Sequence, residues 1–153
     1  MFLDLFKREK TSLFRKINSK AVFPVRSTEH SAGHDLVSLE GGVIRAGERA
    51  VIHTGIGWNE EFQEDGQLFF GLIKERSGHA RYFGLQVLGG VVDLDYNNSI
   101  TVILLNTGET SFHFDKGDKI AQLLVLPYGR ARNEITVETQ RDGGFGSTDS
   151  VYA

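Results

Sequence analysis

The chain has 153 residues, enough for one domain with a sizeable core, and its 40% hydrophobic and 24% charged residues are ordinary for a soluble globular protein. A formal charge of −3 gives no reason to expect nucleic acid or a membrane surface as partner, so an anionic ligand must be met by a few locally placed cations. Cysteine is absent, which excludes a disulfide framework and thiolate chemistry and fits a reducing compartment.

From the N-terminus, the apolar residues of the first ten positions are interrupted by Asp4, Lys7, Arg8, Glu9 and Lys10. That run is too broken for a signal-peptide core or a spanning helix, and residues 1–12 are expected to be an appendage. Strand-like runs then recur. Ala50–Trp58 alternates loosely, Gln67–Lys74 puts Leu68, Phe70 and Leu72 on one face, and Gln86–Tyr96, Ile100–Asn106, Ile120–Leu126 and Ile135–Val137 are rich in Val, Ile and Leu. Turn chemistry separates them at Gly41-Gly42, Glu64-Asp65-Gly66, Thr107-Gly108 and Lys116-Gly117-Asp118. Tyr96-Asn97-Asn98-Ser99 reads as a hairpin turn, because Asn tolerates left-handed backbone. The one helical candidate is Ser77–Phe83, two turns bounded by glycine. Many short strands with almost no helix predict an all-β barrel or sandwich over residues 13–140. Residues 141–153 are glycine-rich and read as a mobile arm.

Five segments carry polar and glycine residues that a bare β-fold does not need: Ser-Ala-Gly-His-Asp-Leu at 31–36, Arg-Ser-Gly at 76–78, Gly-Gly-Val-Val-Asp-Leu-Asp-Tyr at 89–96, Lys-Ile-Ala-Gln-Leu at 119–123 and Gly-Gly-Phe-Gly-Ser-Thr at 143–148. Arg76-Ser77-Gly78 lies where a strand ends and a short helix begins, a junction whose amides suit phosphate oxygens, although the tripeptide alone usually means a turn. Asp93 follows Val91-Val92, so an apolar strand can hold its carboxylate on rigid backbone. Carboxylates are ionised at neutral pH and can take a proton from an aligned water. Phe145 is an aromatic in a segment with no core of its own to fill.

In order and spacing, these five segments resemble the signature motifs of the trimeric dUTPases, over roughly residues 17–148. The resemblance implies a distorted jelly-roll β-barrel with at most one short helix, and a C-terminal arm swapped between subunits of a homotrimer whose active sites lie at the interfaces. It implies hydrolysis of dUTP to dUMP and pyrophosphate, removing dUTP and supplying dUMP for dTTP synthesis. Asp93 then orients and activates the attacking water and contacts the 3′-hydroxyl. Backbone groups of Gly90, Val91 and Val92 pair with uracil, and Tyr96 packs under the deoxyribose, where its other reading is a core aromatic. Arg76, Ser77, Gly78 and Gln122 bind the phosphate chain, Gln122 being equally readable as a solvent-facing strand residue. Asp35 orders waters around the metal or braces the site. Phe145 stacks on the base while Gly146, Ser147 and Thr148 wrap the phosphates and Arg141 reaches the γ-phosphate. Mg2+ is held by phosphates and waters, since no His/Cys cluster or tight carboxylate group offers a protein cage.

The chain departs from the family pattern at four places. Asn98 stands where glycine is usual, acidic Glu75 precedes Arg76, Arg141 lies four rather than five residues before Phe145, and Asp149 replaces a glycine. The related dCTP deaminases need a glutamate on the strand after the hairpin, and Ile100–Asn106 has no acid, which disfavours deamination. A same-fold nucleotide-binding regulatory protein is the alternative from another class. The expected location is the cytoplasm, or also the nucleus in a eukaryotic host, with no nucleic-acid or membrane partner.

Overall fold

The computed structural model describes residues 12–59, 68–136 and 143–145. Among these residues the chain forms eleven strands and one helix: β1 (Phe14–Lys16), β2 (His34–Val37), β3 (Gly42–Ile44), β4 (Arg49–His53), β5 (Ile56–Trp58), β6 (Phe69–Lys74), α1 (Ser77–Phe83), β7 (Leu85–Leu88), β8 (Val91–Val92), β9 (Thr101–Asn106), β10 (Phe112–Phe114) and β11 (Lys119–Pro127). The all-β expectation and the bounds of the single helix hold. The strands do not close into one barrel. They gather into four antiparallel sheets, ordered β2-β11-β6-β8, β4-β9-β7, β1-β5 and β10-β3, which is a distorted jelly-roll.

Alternation along the strands explains how these sheets share a core. In β9, Val102, Leu104 and Asn106 point inward and are fully buried, while Thr101, Ile103 and Leu105 are half-buried on the opposite face. Ile52 in β4, Leu36 in β2 and Ile120 and Leu123 in β11 meet them, each at most 1% exposed. Each such side chain contributes about 1.5–3 kcal/mol by leaving water.

Two strand readings need correction, and a third holds with its face now identified. The run 50–58 is two strands, broken at Thr54-Gly55, where the Thr54 hydroxyl donates to the Ile100 carbonyl at 2.6 Å. In β6, Leu68, Phe70 and Leu72 do share a face, but it is the half-buried one; Phe69, Gly71 and Ile73 face the core. Gly71 is required there because Trp58 occupies the space: a Cβ on Gly71 would lie 2.9 Å from the indole Cζ2. Residues 135–136 form no strand, and Ile135 is 98% exposed. The turn at 64–66 lies outside the described residues. No helix among the described residues is long and apolar enough to cross a membrane.

Candidate active site

The site begins where a hairpin comes apart. β7 and β9 run as an antiparallel ladder from Leu85–Asn106 to Leu88–Ile103, and the ladder ends there. Gly89 and Gly90 follow with φ of 70° and 87°, a left-handed pair that side chains rarely adopt. They swing the chain across to β6, where the Ile73 amide donates to the Gly90 carbonyl at 2.7 Å and Gly71 faces Val92. A Cβ on Gly90 would meet the Ile73 oxygen at 2.9 Å, so this crossing needs glycine. Between the departing residues 88–93 and the start of β9 lies a cavity of about 200 Å³, also walled by Tyr96, Gly144 and Phe145. That volume suits a pyrimidine-sized group rather than a whole drug-sized ligand.

Asp93 sits at the cavity with its backbone held twice. Its carbonyl accepts from the Trp58 indole Nε1 at 2.9 Å and from the Tyr96 amide at 3.1 Å. The second of these bonds closes a turn over residues 93–96. The turn therefore forms three residues before the Tyr96–Ser99 position read from the sequence, and Asn98 is not left-handed. Tyr96 packs against the core, as its second sequence reading has it, and it also lines the cavity and donates its hydroxyl to the Ser99 carbonyl at 3.2 Å.

A second polar cluster forms where β2, β11 and the end of β6 lie side by side. Register places Asp35 opposite Gln122, and Gln122 opposite Lys74. The Asp35 carboxylate is only 9% exposed as a residue. It pairs with Lys119 Nζ at 2.7 Å, accepts from the Ser27 hydroxyl at 2.5 Å and lies 3.8 Å from Arg76 Nε. Burial opposes its charge, but the Lys119 and Ser27 hydrogen bonds and the Lys119 and Arg76 charges outweigh that and hold the carboxyl below its usual range. Arg76 also donates to the Lys119 carbonyl at 3.4 Å, and Gln122 donates to the Glu75 carbonyl at 3.1 Å. Gln122 is thus half-buried and not a free solvent-facing residue. The Glu75 side chain is taken up by Lys74 at 3.0 Å and by the Val87 amide at 3.3 Å.

At the start of α1, Arg76 is the N-cap residue with extended backbone, and no side chain caps the first turn. A Cβ on Gly78 would touch nothing within 4 Å, so packing within the chain does not explain that glycine. The structure thus brings Gly90, Val91, Val92, Asp93, Tyr96 and Phe145 to one cavity, and Asp35, Arg76 and Gln122 to one cluster. Arg76, Ser77, Gly78, Gln122 and Asp35 do not line that cavity in the single chain. Of the arm, Gly144 and Phe145 lie on the chain's own cavity; Arg141, Gly146, Ser147 and Thr148 fall outside the described residues.

Sequence reasoning passed over Trp58, Ser27, Lys119 and Thr101. Lys119 was legible as the basic residue opening Lys-Ile-Ala-Gln-Leu, whereas Trp58 in an apolar run signals only core. Among the described residues no group of three or more His, Asp or Glu side chains is placed to hold a metal ion.

The dUTPase family model matches residues 19–149. Deoxyuridine 5′-triphosphate nucleotidohydrolase of Nautilia profundicola is 36% identical over 140 residues, covering 88% of this chain and 95% of that protein. The enzyme of the same name from Paramecium bursaria Chlorella virus 1 is 38% identical over 140 residues, with 89% and 96% covered. Among solved structures, a mutant dUTPase from phage phi11 of S. aureus, described for its coordination of a structural Mg(II) ion, superposes with a TM-score of 0.69 at 22% identity, covering 84% of this chain and 97% of that one. The Staphylococcus bacteriophage 80alpha dUTPase with dUPNHPP gives 0.69 at 23%, with 88% and 95% covered. These two establish likeness of fold.

Proposed function

The chain belongs to the dUTPase family, and from that premise we propose that it hydrolyses dUTP to dUMP and pyrophosphate by attack of a water on the α-phosphorus. In a cell this activity removes dUTP and supplies dUMP for dTTP synthesis, and we assign it to the cytoplasm. The observation that carries the reading is the cavity opened where the β7–β9 ladder ends, lined by residues 88–93 with Asp93 among them. Main-chain groups of Gly90, Val91 and Val92 offer a fixed donor and acceptor pattern to a pyrimidine edge. Cytosine reverses that pattern and leaves buried groups unpaired, a mismatch worth several orders of magnitude in selectivity. Tyr96 supports the sugar from below, with no room for a 2′-hydroxyl, and Phe145 covers the base.

Asp93 takes the proton of the attacking water while its backbone stays fixed. Positioning and electrostatics supply most of the acceleration in phosphoryl transfer. Arg76, with Ser77 and the uncapped amides at Gly78, receives phosphate oxygens. A side-chain amide carries two N–H donors, so the Gln122 bond to Glu75 leaves one for the phosphate chain. Asp35 acts as a brace, aiming Arg76 and Lys119.

The donor set fits magnesium carried by the nucleotide. Asp35 is committed to Lys119 and Ser27, no carboxylate cage converges among the described residues, and Mg2+ characteristically binds phosphates and water. When bound, the cation neutralises the triphosphate and fixes its conformation. The separation of the Arg76 cluster from the Asp93 cavity supports a homotrimer in which neighbouring chains supply the two halves of each site, with residues 141–153 making on a neighbour's cavity the contact that Gly144 and Phe145 make on the chain's own cavity in the single chain.

Pyrophosphate release measured over dUTP, dTTP, dCTP and UTP tests the activity. Turnover of dUTP alone is the expected result, and ammonia release from dCTP would overturn it. Asp93→Asn should lower kcat by about 10²–10⁴-fold while retaining dUTP binding. A near-normal kcat would remove Asp93 from the role. Light scattering should return a trimer, and full activity after deletion of residues 141–153 would exclude the arm.

A further inference from the structure

A carboxylate in a surface turn is only as well aimed as the turn beneath it. The turn that carries Asp93 and Tyr96 is tied down at both ends from outside. At its start, the Asp93 carbonyl accepts the Trp58 indole N–H at 2.9 Å. At its far side, the Asn97 carbonyl accepts from Arg15 Nη2 at 3.1 Å. Arg15 Nε donates in turn to the Trp58 carbonyl at 2.9 Å, so one guanidinium bridges the strand that carries the indole and the turn that the indole holds.

Trp58 is itself locked. It is 4% exposed, stacked on Phe14 with ring centroids 5.5 Å apart, met edge-on by Phe69 at 5.5 Å, and seated over Gly71. β1 and β5 pair Phe14 with Trp58 and Arg15 with Gly57. Packing alone would be served by phenylalanine. An indole adds a buried N–H that must find an acceptor, and the acceptor here is the carbonyl of Asp93.

We infer that Trp58 and Arg15 are positioning residues for the reaction: they hold the 93–97 turn so that the Asp93 carboxylate keeps its alignment with the attacking water. The inference rests on the assignment of Asp93 as the water-activating base. Neither residue need touch the nucleotide, so their loss acts on the chemical step more than on binding.

Trp58 is the only tryptophan in the chain, so biosynthetic replacement by β-(benzothienyl)alanine removes one N–H donor and leaves the ring's shape intact. Trp58→Phe and Arg15→Met are made alongside, with Asp93→Asn as reference. The readouts are kcat with dUTP, Kd for a non-hydrolysable imido analogue of dUTP, and Tm. The expected result is a loss of about tenfold in kcat for the benzothienyl protein and for Trp58→Phe, since small misplacements of a reacting group cost 10–10²-fold. Kd should change less than twofold. Wild-type kcat in the benzothienyl protein would overturn the inference, and so would parallel losses of kcat, binding and Tm. Should Trp58→Phe fail to fold, the benzothienyl protein decides alone. An active Asp93→Asn enzyme would instead sink the base assignment, independently of how Trp58 behaves.

Discussion

Gly144 lies against the ring of Tyr96 so closely that a Cβ built on the glycine would meet the ring's Cε2 at 2.6 Å. The arm therefore reaches the cavity through a contact that only a residue without a side chain can make. Gly144→Ala should push Phe145 off the cavity and raise KM for dUTP about tenfold, while the protein's Tm stays within 1–2 °C because the contact lies outside the core. Steady-state kinetics paired with a thermal melt check this; an unchanged KM would show that the contact does not matter for closure.

Acid should weaken the fold in two stages. His34 and His79 are both held below their ordinary value of 6.5, chiefly by burial, with Arg26 adding to the effect at His34 and Arg76 at His79. Backbone hydrogen bonding at Leu123 and Ile120, and the Asp118 charge near His79, oppose it only in part. The unfolded chain then binds protons that the native state refuses, so stability present above pH 6.5 is lost as the pH falls below it. Asp35, held below its ordinary 3.8, adds a second loss that begins below that value as its pairing with Lys119 is titrated away. Urea midpoints from pH 8 to pH 3 should fall in this order. His79→Leu, whose new side chain meets Phe112 in place of a ring 5.0 Å away, should flatten the first stage. Lys119→Met should shrink the second stage, because Asp35 loses the partner that holds its carboxyl below 3.8.

The Thr101 hydroxyl is buried without a hydrogen-bond partner among the described residues, and Thr101 lines the cavity. An unsatisfied buried hydroxyl costs about 1–3 kcal/mol, so Thr101→Val should stabilise the ligand-free protein by about 1 kcal/mol, some 2–4 °C in Tm. A drop in Tm would mean that the hydroxyl is satisfied in solution.

Asn106, fully buried at the end of β9, is the opposite case. Its amide donates to the Ile44 and Thr110 carbonyls at 2.8 Å each and accepts from the Gly108 amide at 2.9 Å. Asn106→Ala strands three backbone groups and should cost about 3 kcal/mol, measured as a lower urea midpoint at unchanged slope.

How much of this was legible varied with the range of the interaction that decides it. The helix at Ser77–Phe83 could be read because glycines stand near both ends, and Gly84 makes its left-handed C-cap. Strand existence followed from runs of Val, Ile and Leu. The buried face of β6 could not be read, because size alone favours Leu68, Phe70 and Leu72, whereas the core side is set by Trp58 filling the space above Gly71. The partner of β8 was equally hidden: adjacency in sequence suggests a simple hairpin with β9, and only the long-range pairing with β6 splits it. Asp93, Tyr96 and Phe145 stood out as polar or aromatic residues with no need in a bare β-fold. Trp58 did not, since a tryptophan in an apolar strand looks the same whether or not its N–H serves a neighbouring turn.

A recognition surface drawn by peptide groups tolerates drift in the side chains above it. On the reading proposed above, Val91, 63% exposed, can change to other β-branched residues without altering the main-chain groups offered to the base. What such a surface cannot absorb is a change in spacing. One residue inserted between Gly90 and Thr101 would preserve every chemical group named above yet slide the reading frame of the wall by one position. Substitutions should therefore be forgiven along this stretch of the chain, and insertions and deletions should not.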